Sequence, residues 1–275
     1  MNTVCHALRA GHVLRLCRLA AWALLLHAAG TAQAADNWAK LRPGLFGQRV
    51  IAGDGDTLVE LEAPQRAADA AVVPVAIRAR QPQTAQRFLK TIYLIIDKNP
   101  APLAATFHFT PAVGQADIET RIRIEEYSNV RVVIEMHDGS LHMASRPVKA
   151  AGGCSAPAGK DAGAASADLG RMRLAVESSA PPGQPRLAQL MIRHPNDSGM
   201  AMDQVTRLYA PPYFVKHIEV AYDGKPLLSA DTDISISENP NFRFRFVAEK
   251  AGTLTARVVD SKDLSYSASV SVAER

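Results

Sequence analysis

Apolar and polar residues alternate at every second position along much of the chain after about residue 57. The alternation is clear at 73–79, 118–124 and 130–136. A period of two is typical of a β-strand with one buried face and one solvated face. Residues 88–96 form a nearly continuous apolar run that ends in a polar turn at 97–100, as expected of a central strand. About six or seven short strands of this kind predict an antiparallel β-sandwich.

The second stretch shows the alternation with charged residues. Glu119, Arg121, Arg123 and Glu125 alternate with apolar residues there. Because successive side chains of a strand point to opposite faces, this alternation is typical of a strand.

The same alternation returns in the last third of the chain. It covers 214–222, 242–246, 254–258 and 266–272. In the last stretch serines alternate with apolar residues, which indicates a strand with one solvated face. Asp223-Gly224 directly after the first stretch is a hairpin signal. The pattern predicts a second antiparallel sandwich, so the expected class is all-β with two sandwiches.

Small residues dominate the segment 150–183 between the two predicted sandwiches. Such a segment buries too little apolar surface to offset its ordering entropy, so we expect a flexible linker rich in Gly, Ala and Pro. A brief apolar stretch at 172–176 is long enough to add a strand. The predicted sandwich domains are therefore 35–149 and 184–275.

The first 34 residues have the order of a secretory signal: a basic region, an apolar run at 19–26, and a small-x-small pattern that ends at Ala34. The basic residues are Arg9, Arg15 and Arg18. The alternative is a retained membrane anchor, but the apolar run is about half of the ~20 residues that a span requires. We expect cleavage near Ala34, a periplasmic mature protein, and no membrane span after cleavage.

Charge excludes one class of function. The chain has 31 Lys and Arg against 27 Asp and Glu, but the predicted signal contains three of the arginines and no acid. The remainder is almost neutral, which argues against a nucleic-acid-binding protein.

Removal of the signal would also remove Cys5 and Cys17, so Cys154 would be the single cysteine of the mature chain. A lone cysteine forms no internal disulfide, and in an oxidising compartment a free thiol is either buried or used. Its neighbours are glycine, serine and alanine, which favours an exposed thiol on a mobile arm. Gly152 and Gly153 would then act as the hinge of the arm. The alternative is an incidental free cysteine in a linker.

Other candidate chemistry is weaker. A thiol enzyme needs a base held within hydrogen-bond reach, and a mobile thiol has no fixed partner. His137 and His142 flank the turn at 138–139, but two histidines alone are a weak metal site, and surface imidazoles are the better interpretation. The acidic loop 53–56 lacks the glutamate that a calcium loop carries at its twelfth position. We therefore predict no metal and no catalytic residue.

Short motifs in both predicted domains resemble the sulfur-oxidation proteins SoxY and SoxZ joined in one polypeptide. In the first domain they are Ala63-Pro64, Val73-Pro74-Val75, Asp138-Gly139 and Gly152-Gly153-Cys154. In the second they are Ile192-Arg193-His194-Pro195, Pro212-Tyr213-Phe214-Val215, Ser237-Glu238-Asn239-Pro240, Phe242-Arg243-Phe244 and Lys250-Ala251-Gly252. Fused chains of this sort resemble the SoxYZ-like carriers associated with quinoprotein alcohol dehydrogenases.

The resemblance implies two immunoglobulin-like sandwiches and no cofactor. It implies that Cys154 holds sulfur intermediates covalently while separate periplasmic enzymes act on them, so that the protein is a carrier and not an enzyme. The implied partners are a c-type cytochrome that couples thiosulfate to the thiol, a sulfur hydrolase that releases sulfate, or a quinoprotein dehydrogenase.

One departure bears on the cargo. SoxY ends in a Gly-Gly-Cys-Gly-Gly tail, whereas this chain reads Gly-Gly-Cys-Ser-Ala-Pro and has 121 residues after Cys154. An internal segment must enter a partner's channel doubled back, and Pro157 stiffens it. Two alternatives stay open: a non-catalytic accessory protein of a quinoprotein (PQQ) alcohol dehydrogenase, and an autonomous thiol peroxidase or reductase.

Overall fold

The structure is a computed structural model, and it describes residues 37–156, 168–177, 180–181, 183–202 and 206–273. The predicted signal at 1–34 and residues 157–167 of the predicted linker lie outside the described residues. No helix in the described part has the length and apolar character that crossing a membrane requires.

β-Strands dominate the described residues, so the predicted all-β class is confirmed. The one regular α-helix described is α1 (Trp38–Phe46). The strands in chain order are β1 (Ile51–Ala52), β2 (Val59–Glu62), β3 (Val73–Ala79), β4 (Leu89–Ile96), β5 (Leu103–Phe109), β6 (Ile118–Ile122), β7 (Ser128–Met136), β8 (Leu141–Val148), β9 (Met172–Val176), β10 (Pro185–Ile192), β11 (Val215–Tyr222), β12 (Lys225–Thr232), β13 (Asn241–Val247), β14 (Gly252–Asp260) and β15 (Ser265–Val272).

The strands form two sheets. A nine-stranded sheet has the order β1-β8-β7-β4-β5-β12-β11-β14-β15, and a six-stranded sheet has the order β2-β3-β6-β13-β10-β9. The pairs between named strands are antiparallel apart from β1 with β8. The apolar stretch at 172–176 is a strand, as its sequence suggested, and β9 lies at the edge of the smaller sheet.

We call residues 37–156 the first half and residues 168–273 the second half. Each half contributes strands to both sheets, and the halves meet edge to edge. In the larger sheet β5 pairs with β12 over five residue pairs, and in the smaller sheet β6 pairs with β13 over two. The two halves therefore share continuous backbone hydrogen bonding.

Alternating burial follows the alternating sequence. In β3, for example, Val73, Val75, Ile77 and Ala79 are buried while the residues between them are not. Inward-facing residues of both sheets join in one hydrophobic cluster that crosses from the first half to the second. The continuous apolar run of β4 lies in the interior of the larger sheet, between β7 and β5. In β15 the four serines are exposed and the residues between them are less so, as the pattern indicated, and the strand lies at the edge of the larger sheet.

The helix α1 covers the outer face of β4, β7 and β8. Its Phe46 packs against Ile95, Val133 and Leu141 in a second, smaller cluster. This contact explains why most of β4 carries apolar residues on both faces, since both sides of the strand are covered beyond the exposed Lys90.

Both predicted hairpin turns are present. Gly139 has φ of 84° between β7 and β8, and Asp223 and Gly224 have φ of 47° and 76° between β11 and β12. Two successive residues of positive φ match the turn that suits the right-handed twist of paired strands.

Candidate functional site

Cys154 lies in a short segment, residues 150–156, that follows β8 and runs beside residues 124–125. The Gly152 N–H donates to the Glu125 carbonyl at 2.8 Å, and the Gly153 N–H donates to the Ile124 carbonyl at 2.9 Å. The segment is therefore docked on the first half through its own backbone.

Glycine is required at 153 by close approach. A Cβ atom at Gly153 would lie 2.1 Å from the carbonyl oxygen of Ala70 and 2.8 Å from the Ile124 nitrogen. Both atoms belong to the backbone, which has no rotamer to change, so a side chain at 153 would displace the segment. Gly152 has φ of 80°, a region that L-residues seldom adopt.

The Glu125 carboxylate accepts three hydrogen bonds from the segment. Its Oε2 accepts the backbone N–H groups of Cys154 at 2.8 Å and Ser155 at 3.1 Å, and its Oε1 accepts the Ser155 hydroxyl at 2.9 Å. Hydrogen bonds to an ionised acceptor are stronger than those between neutral groups. The carboxylate therefore fixes the backbone on both sides of the Cys154 peptide unit.

The second half holds the same residue from the other side. Ser198, which lies in the loop after β10, donates its hydroxyl to the Cys154 carbonyl. We call the set of Ala70, Ile124, Glu125 and Ser198 the docking site. It is formed by both halves of the chain.

Arg123 lies next to the docking site and is only 8% exposed. Its Nη1 donates to the carbonyls of Asn196 at 2.6 Å, Ile236 at 2.7 Å and Ile234 at 3.2 Å, all in the second half. Burial lowers the pKa of this guanidinium, although the nearby Cys154, Glu238 and Asp197 act in the opposite direction. Arg123 thus carries a positive charge into the contact between the halves.

The burial of Arg123 departs from the alternating pattern of residues 118–124. Strand β6 ends at Ile122, so the period of two no longer applies to the next residue. Ile122, Arg123 and Ile124 are all buried in succession.

The side chain of Asn99 connects the backbone at Arg123 and Glu125 to Ser235 of the second half. Its side-chain NH₂ donates to the Arg123 carbonyl at 2.7 Å and to the Ser235 hydroxyl at 2.9 Å, and its Oδ1 accepts the Glu125 N–H at 2.9 Å. The backbone that presents Arg123 and Glu125 is therefore held by a buried amide.

Cys154 is 1% exposed. Burial raises the pKa of its thiol to about 12, the Glu125 carboxylate adds to the increase, and the Arg123 guanidinium opposes it. The docked thiol is thus protonated at neutral pH and is a poor nucleophile, because the thiolate is the reactive form. The Glu125 carboxylate is already engaged by three donors and is not placed to remove the proton.

The expectation of an exposed thiol is wrong for this docked state. Sequence neighbours do not reveal which distant residues cover a segment, and the small residues at 150–156 let it fit closely against backbone. Gly152 and Gly153, predicted as a hinge, both donate backbone hydrogen bonds here, and their hinge role stays a prediction.

Glu125, Arg123 and Ser198 were not identified as functional residues from sequence. Their proximity to Cys154 depends on contacts between positions 29 or more residues apart. The loop 194–199 contains several turn-forming residues, which indicates an irregular segment but no chemistry of its own.

Other candidates do not assemble into a metal site. His142 Nδ1 contacts Asp54 Oδ1 at 2.6 Å and lowers the pKa of that carboxyl, whereas the ring of His137 packs against Phe88. Across the described ranges, no group of three or more His, Cys, Asp and Glu side chains is arranged to hold a metal ion.

The loop after β10 also buries a histidine. His194 is 2% exposed, and its Nδ1 accepts the Asn196 N–H at 3.0 Å. Its Nε2 lies 3.7 Å from Oδ2 of Asp260, a carboxylate that also accepts the Tyr213 and Tyr266 hydroxyls. Burial lowers the pKa of His194 to about 4, despite Asp260. The neutral ring therefore helps to fix the conformation of the loop that carries Ser198.

Similarity to solved structures is low. The sulfur carrier protein SoxY from Chlorobium limicola f thiosulfatophilum is 27% identical over 42% of this chain and 96% of its own, with a TM-score of 0.35. A superoxide reductase (neelaredoxin) from Ignicoccus hospitalis is 15% identical over 43% of this chain and 90% of its own, with a TM-score of 0.30. Fibronectin(III)-like modules of Clostridium thermocellum CbhA are 10% identical over 79% of this chain and 94% of their own, with a TM-score of 0.24. No curated protein matches the chain significantly.

Two family models match the chain in tandem. The model of sulfur oxidation protein SoxY matches residues 42–154, and the model of sulphur oxidation protein SoxZ matches residues 172–271. The SoxY match ends at Cys154, the residue that the docking site holds. The chain therefore belongs to the SoxY and SoxZ families, as a SoxY domain followed by a SoxZ domain in one polypeptide.

Proposed function

We propose that this protein carries sulfur intermediates covalently on Cys154 in the periplasm, for separate enzymes of sulfur-compound oxidation. The observation that carries the proposal is that the SoxY match ends on the one free cysteine of the described residues. The protein itself would catalyse no turnover.

Cys154 must leave the docking site to react. Six hydrogen bonds hold residues 152–155, from the four backbone N–H groups, the Ser155 hydroxyl and the Ser198 hydroxyl. The three bonds to carbonyl groups contribute a net ~0.5–1.5 kcal/mol each, and the three to the Glu125 carboxylate contribute ~1.5–3 kcal/mol each. Fixing the backbone costs ~1–2 kcal/mol for each residue. The gain from hydrogen bonding and the cost of ordering the backbone are of similar size. The segment can therefore leave the docking site while the sandwich stays folded.

Loading by thiosulfate would be an oxidation. The Cys154 thiol and thiosulfate lose two electrons and one proton, a sulfur–sulfur bond forms, and Cys154 carries a terminal sulfonate. A c-type cytochrome is the class of partner that would accept the electrons, and a hydrolase would then release sulfate. A quinoprotein dehydrogenase is the alternative partner of such fused carriers.

Intact-mass spectrometry of protein from the periplasm of its own host tests the carrier role. During growth on a reduced sulfur compound we expect adducts on Cys154 that a thiol reductant removes. The Cys154→Ser protein should carry none and should not support sulfur-dependent growth. A matched control, Cys154→Ser combined with Ser155→Cys, moves the thiol by one residue and should also fail.

Normal growth of the Cys154→Ser strain, with no adduct on the wild-type protein, would contradict the carrier role. That result would favour the alternative of a non-catalytic accessory protein of a quinoprotein alcohol dehydrogenase. Turnover of a peroxide or disulfide by the purified protein alone would instead favour a thiol enzyme.

Export has its own test. We expect the mature protein in the periplasmic fraction, with Ala35 as its first residue. A cytoplasmic protein that retains residues 1–34 would contradict the predicted location.

A further inference from the structure

The side chain of Cys154 is shielded from solvent when its segment is docked. The residue is 1% exposed, and the preceding Gly153 lies in backbone contact with Ala70 and Ile124. Close-packed interiors do not accept added atoms without moving their neighbours. A further sulfur atom or a sulfonate on Cys154 would therefore need space that the docked segment does not leave.

Electrostatics also disfavour an anionic group on the Cys154 sulfur in the docked segment. The Glu125 carboxylate contacts the backbone of Cys154 and disfavours negative charge on the sulfur, as does burial itself. Arg123 opposes this effect, but the docked thiol still prefers its neutral form. An S-sulfonate group is anionic at neutral pH, so burial and Glu125 penalise it for the same physical reasons.

Among the described residues, the hydrogen bonds that hold the segment do not involve the sulfur. Glu125 and Ser198 bind the peptide groups of residues 154–155 and the Ser155 hydroxyl. Docking is thus a competition between a constant set of backbone hydrogen bonds and the cost of enclosing whatever the sulfur carries.

We propose that the docking site holds the neutral thiol and that an anionic group on Cys154 expels residues 150–156 from it. Resting on the carrier role proposed above, this makes docking depend on loading. An empty carrier hides its thiol from adventitious oxidants, and a loaded carrier presents its cargo to the next enzyme.

Hydrogen exchange of the full mature protein tests the proposal with adducts that are installed chemically. A sulfonatoethyl methanethiosulfonate reagent gives an anionic adduct, and methyl methanethiosulfonate gives a small neutral one. In both, the Cys154 thiolate attacks the sulfenyl sulfur, a disulfide forms, and methanesulfinate leaves with the electron pair. Intact mass confirms complete modification before exchange is measured.

In the unmodified protein we expect slow exchange of the amides of residues 152–155. With the anionic adduct these amides should exchange about tenfold faster or more, the effect of losing several hydrogen bonds. The core strand β4 should be unaffected. Release by both adducts supports exclusion by space, and release by the anionic adduct alone supports exclusion by charge. Retained protection with the anionic adduct would overturn the proposal.

A variant pair isolates the carboxylate. Glu125→Gln keeps an acceptor but removes the charge, so the difference in exchange between the anionic and neutral adducts should shrink. Glu126→Gln is the matched control, since Glu126 is exposed and its nearest cation, Lys98, is 4.0 Å away. An unchanged difference in Glu125→Gln would contradict the part assigned to charge. Because the adducts are installed chemically, these results do not depend on which cargo the protein carries in its host.

Discussion

Ser198, in the SoxZ domain, donates its hydroxyl to the carbonyl of Cys154, at the end of the SoxY domain. The residue proposed to carry sulfur is therefore held by both domains at once. In a fused chain this contact forms within one molecule. Four further relationships at or near this contact lead to testable predictions.

Arg123 should be a major source of stability at the contact between the domains. Arg123→Met removes the donors to the carbonyls of Asn196, Ile236 and Ile234, and among the described residues only the Ile236 carbonyl of these three keeps another donor, the Asn196 side-chain amide. We expect a loss of about 3 kcal/mol in the free energy of unfolding, as for hydrogen bonds from a charged group. Urea denaturation measures it. Arg171→Met, at an exposed arginine, is the control and should change stability by less than about 0.5 kcal/mol; an equal loss in both would refute the assignment.

Gly153→Ala should release the Cys154 segment without unfolding the sandwich. The new Cβ would lie 2.1 Å from the Ala70 carbonyl oxygen, and the segment can move away from it while the strands stay paired. We expect alkylation of Cys154 by iodoacetamide to accelerate about tenfold or more, with little change in the thermal midpoint.

The control for that substitution is Gly53→Ala, because a Cβ there meets no atom within 4 Å. It should leave the alkylation rate unchanged. A Gly153→Ala protein that alkylates as slowly as the wild type would show that the segment tolerates a side chain at this position.

Alkaline pH should destabilise docking of the thiol. The docked pKa of Cys154 is raised to about 12, so the protonated thiol favours docking below the ordinary pKa of a free cysteine, and this contribution is lost as the pH rises towards 12. The ultraviolet absorbance of the thiolate, taken as the difference between wild type and Cys154→Ser, measures the titration. A midpoint near the free value of ~8.5 would mean that the segment is mostly undocked in solution.

Acid should destabilise the protein through His194. Its folded pKa is lowered to about 4, so the neutral ring contributes stability above the unfolded value of ~6.5, and this contribution is lost as the pH falls towards 4. The size is of the order of 3 kcal/mol. His194→Gln keeps an acceptor for the Asn196 N–H and should flatten the dependence of stability on pH between these values. An unchanged dependence of stability on pH in His194→Gln would contradict this assignment.

Much of the fold could be predicted because burial in a sheet alternates with the strand period. The stretches at 73–79 and 130–136 are strands with the expected faces buried, and both Asp-Gly hairpins lie where the turn residues indicated. The edge-to-edge joining of β5 with β12 and of β6 with β13 had no such signal. A strand that pairs across domains has the same residue pattern as one that pairs within a domain.

The sequence predicted the candidate residue of the site but not its environment. Cys154 was identified because a lone cysteine among small residues is unusual in a chain with a predicted export signal, and this inference needed no knowledge of contacts through space. Its burial, its raised pKa and its contacts with Glu125 and Ser198 were not predicted. Those properties are set by side chains that approach it through space.

The sequence alone determined the strand pattern, the tandem arrangement of the two domains, and the residue that carries the candidate chemistry. Each of these is encoded in local periodicity, composition or motif. Tertiary structure decided that Arg123 turns inward after β6 ends and that the Cys154 thiol is enclosed and protonated. Desolvation and hydrogen bonding depend on which distant groups surround an atom, and only the folded chain brings those groups together.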